Sequence, residues 1–536
     1  MRKPSLPWLA LLASGIAVAA DTSTGTLFAS LQSQDPETAL YALSQGADAN
    51  AREPDGTTPL HYAAHFADAR LVSALLKANA DPNARNEFGT TPLAEAATTG
   101  NPEIIRLLLK AGADVESANP EGQTALMVVA RAGKLDAAKL LLKAGANVNA
   151  KEEWGGQSAL MWAAAQGQPE MIRLLVKAGA DVNARGTIRE WQRRMTSEPR
   201  PKGMNRGGFT PLLYAAREGC VECARELLAG KADINLADPD QTTPLVVALM
   251  NLRFKFASFL IGAGADVDRW DLYGQSPLYV ALDMNTLPKG GRPDLPSEDL
   301  MTGLQVGEQL LAAGANPNIQ LKLRPPYRNY IFDRGGDQVL STGATPLMRA
   351  VKGGDIEAVK LLLKYKADLN LPNDEGITPL MVAAGMGHGA NPTRGRYKTD
   401  AQAAECVQLL VEAGADVNQA VPRTRRTALH AAAAHGWNDT VQSLATRGAA
   451  LEAEDSRGLT PMDHAAGRYE RGFLEPEPTP YTGTMKILRD QIYASTGREP
   501  KESKGPKPGQ TQGTAGNQVG GRNAFELQTA GQTPTQ

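Results

Sequence analysis

Aromatic side chains make up only 5% of this 536-residue chain. So few rings argue against one large core built on aromatic packing. Three cysteines are too few, and too odd in number, for a disulfide framework. No sign of charge dominates. Lys and Arg total 56 against 58 Asp and Glu, and the net charge of −2 leaves no nucleic-acid footprint on the whole molecule. Past the first twenty positions, no apolar run reaches the roughly 18 residues of a membrane-spanning helix. Signatures of catalysis are missing as well: no His-Glu-x-x-His, no Gly-x-Ser-x-Gly and no Walker loop. The six histidines are scattered without zinc spacing. No catalytic residue, metal site or cofactor is expected.

What the chain does have is a start that reads as an export signal. Arg2 and Lys3 precede a short apolar run, Leu9 to Ala20, that ends in small residues. Val18-Ala19-Ala20 before Asp21 fits a cleavage site near Ala20. Residues 1–20 are therefore expected to be a signal peptide, and the mature protein periplasmic or secreted.

The rest is dominated by one sentence written about eleven times. It runs Gly-x-Thr-Pro-Leu, then Ala-Ala and a turn, then Leu-Leu-x-x-Gly-Ala-Asp-x-Asn. Its Thr or Ser falls at 58, 91, 124, 158, 210, 243, 276, 345, 378, 427 and 460, and six of the gaps are 33. Each copy carries helix logic. Thr58 can cap a helix, and Pro59 sits where a missing N–H costs nothing. Leu71, Leu75 and Leu76 follow at helical spacing. Gly112, Gly145, Gly179 and Gly414 stand where a left-handed helix end is needed, and Asn79 takes that place in the first full copy. One such unit cannot bury its apolar face alone, so copies must stack.

Thr58-Pro59-Leu60-His61-Tyr62-Ala63-Ala64 closely resembles the ankyrin repeat motif, and Thr427-Ala428-Leu429-His430 repeats it with Ala for Pro. The resemblance covers about residues 26–493. The glycine-rich stretch near Met386 and Gly436-Trp437-Asn438-Asp439 are similar to exported bacterial ankyrin proteins, with no activity attached. The fold implied is an all-α solenoid of about twelve helix-turn-helix units with β-hairpin fingers. A capping repeat is expected over 21–54, repeats over 55–459, a C-terminal cap over 457–495 with a helix at 484–493, and a disordered tail over 496–536. Function is expected to be protein binding through the concave helix face, without enzyme activity.

Departures from the period place insertions near 186–206, 284–300, 320–342 and 386–401. Insertions on repeat arrays map to edge loops. Two of these join cations to aromatics: Trp191 with Arg193 and Arg194, and Tyr327, Arg328, Tyr330, Phe332 and Arg334. Such residues are enriched at interface hot spots, so these eight are the expected contacts for a protein partner with an acidic surface. They also allow the residues to fold back on the repeats. Nucleic acid is not the expected partner, and oligomeric state is left open. Two other readings remain: a ligand-binding or catalytic pocket built by the insertions, and a scaffold. Cys220 and Cys223 fit ordinary repeat positions, with a local disulfide as the alternative. Cys406 reads as core. His61 and His430 should bond the threonine side of the motif, and His388 reads as a loop residue.

Overall fold

The computed structural model describes residues 22–190, 206–285, 299–323, 339–388, 398–468 and 480–501. Among them are 24 α-helices, forming twelve pairs. The described residues divide at Ala315 and Asn316 into two compact units.

Local chemistry explains the helices. Thr91, Thr243 and Thr345 accept from the N–H three residues on, at 3.2–3.3 Å, and a proline follows each. The second helices have their own caps: Asp68 holds the N–H groups of Arg70 and Leu71, and Asn101 those of Glu103 and Ile104. Helices end as the glycines require. Gly112 and Gly145 have φ of 91° and 93°, and Asn79 has 61°. Thr58 differs. Its N–H donates to His61 Nδ1 at 3.2 Å, while His61 Nε2 reaches Thr90 O of the next copy at 2.9 Å. With Nε2 carrying the proton, a neutral His61 ties two repeats together. Burial accordingly holds its pKa below the usual value.

Packing follows from the repeat. Leu60, Ala63, Ala64, Val72 and Leu75 are fully buried, and so are Leu93, Ala96, Ile105 and Leu108 one copy later. A completely buried Leu contributes about 2 kcal/mol, and the alanines let helices approach closely. In the last helix, Thr482–Thr496, Leu488 and Ile492 are buried and Met485 is half-buried. Cys406 is buried as well.

A second set of bonds stacks the fingers. Asn83 Nδ2 donates to Gly112 O at 2.9 Å, and its Oδ1 accepts from Asp114 N at 2.7 Å. Asn50 does the same to Asn79 and Asp81, and Asn149 to Gly179 and Asp181. In the second unit Asn418 binds Gly448 and Ala450. Each asparagine thus answers an orphan carbonyl at a neighbouring helix end. Asn83→Ala should destabilise the first unit by about 1–2 kcal/mol, two bonds at typical net worth. Urea unfolding checks this; an unchanged midpoint would remove the ladder from the stability argument.

The fingers are turns more than hairpins. Asn86 Oδ1 accepts from Phe88 N and Thr90 N, and Gly89 N donates back to Asn86 O. Neighbouring fingers join through single bonds such as Glu87 N to Asp55 O at 2.8 Å. Among the described residues the pairing amounts to isolated bridges, as between Lys151 and Ser158, and builds no strand. The arms are too short for a ladder.

Candidate partner-binding surface

The eight expected contacts, Trp191, Arg193, Arg194, Tyr327, Arg328, Tyr330, Phe332 and Arg334, lie outside the described residues. The mouth of the first insertion is described. Arg189 N donates to Arg206 O at 2.8 Å, Gly208 N to Thr187 O at 3.1 Å, and Ile188 bridges Gly207. Two chain segments therefore leave the finger side by side. Thr187 N also donates to Gly155 O at 2.7 Å, tying the mouth to the preceding finger.

That preceding finger carries Trp154, 70% exposed. Its backbone is held from below. The buried Glu152 carboxylate accepts from the N–H groups of Trp154, Gly155 and Gln157 at 2.7–2.8 Å. Arg189 stacks its guanidinium 5.4 Å from the indole and donates to Trp154 O at 2.8 Å. Cation and ring are thus pre-positioned, which lowers the entropy lost when a partner covers them. Further cations surround them: Lys151 Nζ donates to Arg185 O, and Arg185 Nη1 to Gly208 O.

Aromatic and guanidinium groups also meet on the first helices. Arg131 lies 5.1 Å from the Trp162 ring, and Arg217 lies 5.2 Å from Tyr214. Trp162 Nε1 is buried with no acceptor among the described residues. In the first full copy Tyr62 occupies the same position, stacked on Phe66 at 6.1 Å. Next to it, His65 Nδ1 meets a Glu95 carboxylate at 2.9 Å, and that bond raises the histidine pKa. The sequence reading missed Trp154, Trp162 and Tyr214. A signal for the last two was present, since both fill the variable position of Thr-Pro-Leu-His-x-Ala.

Chemistry of another kind sits in the second unit. Lys398 is 3% exposed. Its Nζ donates to Val382 O and Ala383 O at 2.7 Å and to Val351 O at 3.1 Å. These are helix-end carbonyls. Helix Pro379–Ala383 stops after five residues, and the lysine supplies donors that a continued chain would have given. Burial pulls the Lys398 pKa down to about 7 and pushes the nearby Cys406 thiol up to about 11. The Trp437 ring lies 5.5 Å from Nζ, and His388 and His435 pack on that ring at 4.9 and 5.2 Å. His435 Nε2 donates to Gly385 O at 2.9 Å. Gly385 has a φ of 105°, and a Cβ there would meet His435 and Trp437 at 2.8 Å. His388, read as a loop residue, is half-buried in this cluster. With the amine enclosed, the arrangement anchors the chain and presents no open nucleophile.

Cys220 and Cys223 are joined, with Cα atoms 5.2 Å apart. The alternative of a local disulfide therefore replaces the reading of two independent repeat residues. Among the described residues, no three His, Cys, Asp or Glu side chains group to hold a metal ion, and no helix is long and apolar enough to cross a membrane.

Comparison with known proteins agrees with this architecture. The family model for three-copy ankyrin repeats matches residues 27–119, 111–186, 212–288, 303–391 and 399–473, and the single-repeat model matches 375–420. Human ankyrin repeat and SOCS box protein 16 is 29% identical over 255 residues, covering 48% of this chain and 47% of that protein. The human transient receptor potential cation channel subfamily A member 1 is 26% identical over 286 residues, covering 52% and 20%. Zebrafish (Danio rerio) neurogenic locus notch homolog protein 1 is 30% identical over 108 residues, covering 20% and 4%. The chain thus spans about half the length, or less, of these relatives. Matched over most of its length and built from twelve helix pairs among the described residues, the chain belongs to the ankyrin repeat family, whose repeats are generally protein–protein interaction modules.

Proposed function

We propose that this chain is an exported module that binds a protein partner through the first helices and finger edge of its first unit. The observation that carries the reading is Trp154. A large ring is held 70% exposed by a dedicated carboxylate turn and a stacked arginine. Exposing an indole in this way favours water less than it favours a partner. Lys151, Arg185, Arg189 and Arg206 around the insertion mouth suit a partner with an acidic patch. Export rests on the charged, apolar and small-residue order of the first twenty positions.

The test is a capture experiment with the mature chain as bait, followed by titration of the recovered partner. Trp154→Ala with Arg189→Ala should weaken binding by on the order of 2 kcal/mol, about thirtyfold, with an unchanged circular dichroism spectrum. Equal affinity of wild type and variant would rule out this edge. An N-terminus at Asp21 in protein recovered from its natural source checks the export part.

A further inference from the structure

The disulfide between Cys220 and Cys223 stands where the repeat does not need one. Cys220 is the N-cap of helix Val221–Ala229, and its Sγ accepts from Cys223 N at 3.2 Å. Asp68, Asn101 and Asp355 do that capping with ordinary oxygens at the same repeat position. Among the described residues the eleven other second helices pack without a disulfide. The bond also joins residues only three apart, so it closes a very short loop and constrains the unfolded chain less than a long one. Stability alone gives a weak reason for the pair.

Its surroundings favour reactivity. The two sulfurs differ in access: Cys223 is fully buried, while Cys220 is half-buried at the surface. The Cys223 N–H at the start of the helix points at Cys220 Sγ, and such positions stabilise a thiolate. Arg253 from the next repeat packs over Gly219, beside Cys220 in sequence, and its Nε donates to Arg217 O at 3.2 Å. Of the acidic neighbours, Glu218 pairs with Arg217 and Glu222 with Arg225, while Glu170 stands in the first turn of the preceding second helix.

We propose that Cys220–Cys223 is a reversible thiol–disulfide exchange site, with Cys220 the exchanging sulfur and small-molecule or protein thiols as its substrates. A substrate thiolate attacks Cys220 Sγ, forming a mixed disulfide and releasing Cys223 as a thiolate that takes up a proton. A second substrate thiolate attacks the substrate sulfur of that mixed disulfide and releases Cys220 as a thiolate. In sum, two substrate thiols give up two electrons and two protons to become a disulfide, and the protein disulfide becomes two thiols. In the reverse direction the two protein thiols reduce a substrate disulfide to two thiols, and the Cys220–Cys223 bond closes again.

The experiment uses the full chain under native conditions. It is treated with dithiothreitol, freed of it, and alkylated with iodoacetamide at a series of pH values, with mass spectrometry assigning each site. Reduction should proceed without loss of the helical circular dichroism signal. Cys220 should then be alkylated at least about tenfold faster than Cys223 and the buried Cys406, with a pH midpoint below the about 8.5 of an ordinary thiol. A Cys220→Ser variant should fold and leave Cys223 unreactive. Reduction that occurs only together with unfolding would overturn the proposal. So would a Cys220 midpoint at or above the ordinary value, or equal rates at the two sulfurs.

Discussion

Raising the pH from about 7 to 10.5 should stabilise the second unit, by up to about 5 kcal/mol through Lys398 alone. The sign follows from the two pKa values. Burial lowers the folded-state value to about 7, while the unfolded chain keeps the ordinary 10.5. Between them the unfolded state binds more protons, so stability rises with pH. Below pH 7 both states are charged, and the folded state bears the full cost of burying an ammonium. That cost is limited because Val351, Val382 and Ala383 carbonyls accept its protons. Urea unfolding monitored by Trp437 fluorescence, at pH 7.5 and 9.5, measures the effect. Lys398→Met should lose the rise between the two pH values, whatever its absolute stability. A wild-type and a Met variant with the same pH slope would show that the amine is not enclosed as described.

Acid should act on the same unit in the same direction. Burial pulls His430 and His388 down to about 4, and lowers His435 and His464. Each folded value lies below the ordinary 6.5, so stability present above pH 6.5 is lost as pH falls toward 4. His430 alone should contribute about 3 kcal/mol to that loss. Its Nδ1 accepts from Thr427 N at 3.1 Å, and its Nε2 meets Leu459 O at 3.1 Å. A second proton would face the Thr427 N–H and the His464 ring, 5.1 Å away. His464 itself contacts the Asp455 carboxylate at 3.1 Å. That contact raises its pKa, but burial outweighs it. The urea midpoint should fall steadily from pH 6.5 to 4.5, and His430→Asn should flatten the curve. An unchanged slope in the variant would move the acid sensitivity to other histidines.

The stack was legible because its causes are local and repeated. A Thr that caps, a Pro that follows and a Gly at the left-handed end each act within a few residues, and a period of 33 multiplies the signal. His61 was legible for the same reason, since its partner Thr58 is three residues away. Lys398 was not. Its acceptor at Val351 is 47 residues distant, and a lysine beside Arg394 and Arg396 reads as solvated surface. Trp154 was hidden differently. Its exposure depends on Glu152 turning back to hold three N–H groups, and on Arg189 arriving from the next finger. The cysteine pair lay between these cases, because spacing permits a bond and only the backbone decides whether it closes.

The asparagine bonds carry a consequence for how such a chain changes over generations. Asn83 finds its acceptor-bound N–H 31 residues ahead. Asn183 makes the same bond to Asp233 across 50 residues, as Asn318 does to Asp368. With the extra residues in between, the bond length is still 2.8 Å. Spacing in sequence is thereby uncoupled from spacing in the stack. A tandem duplication delivers a new copy that already holds the donor and acceptor its neighbours require, and a finger can lengthen without disturbing them. New recognition surface can therefore be inherited piecemeal, while the frame that displays it stays the same.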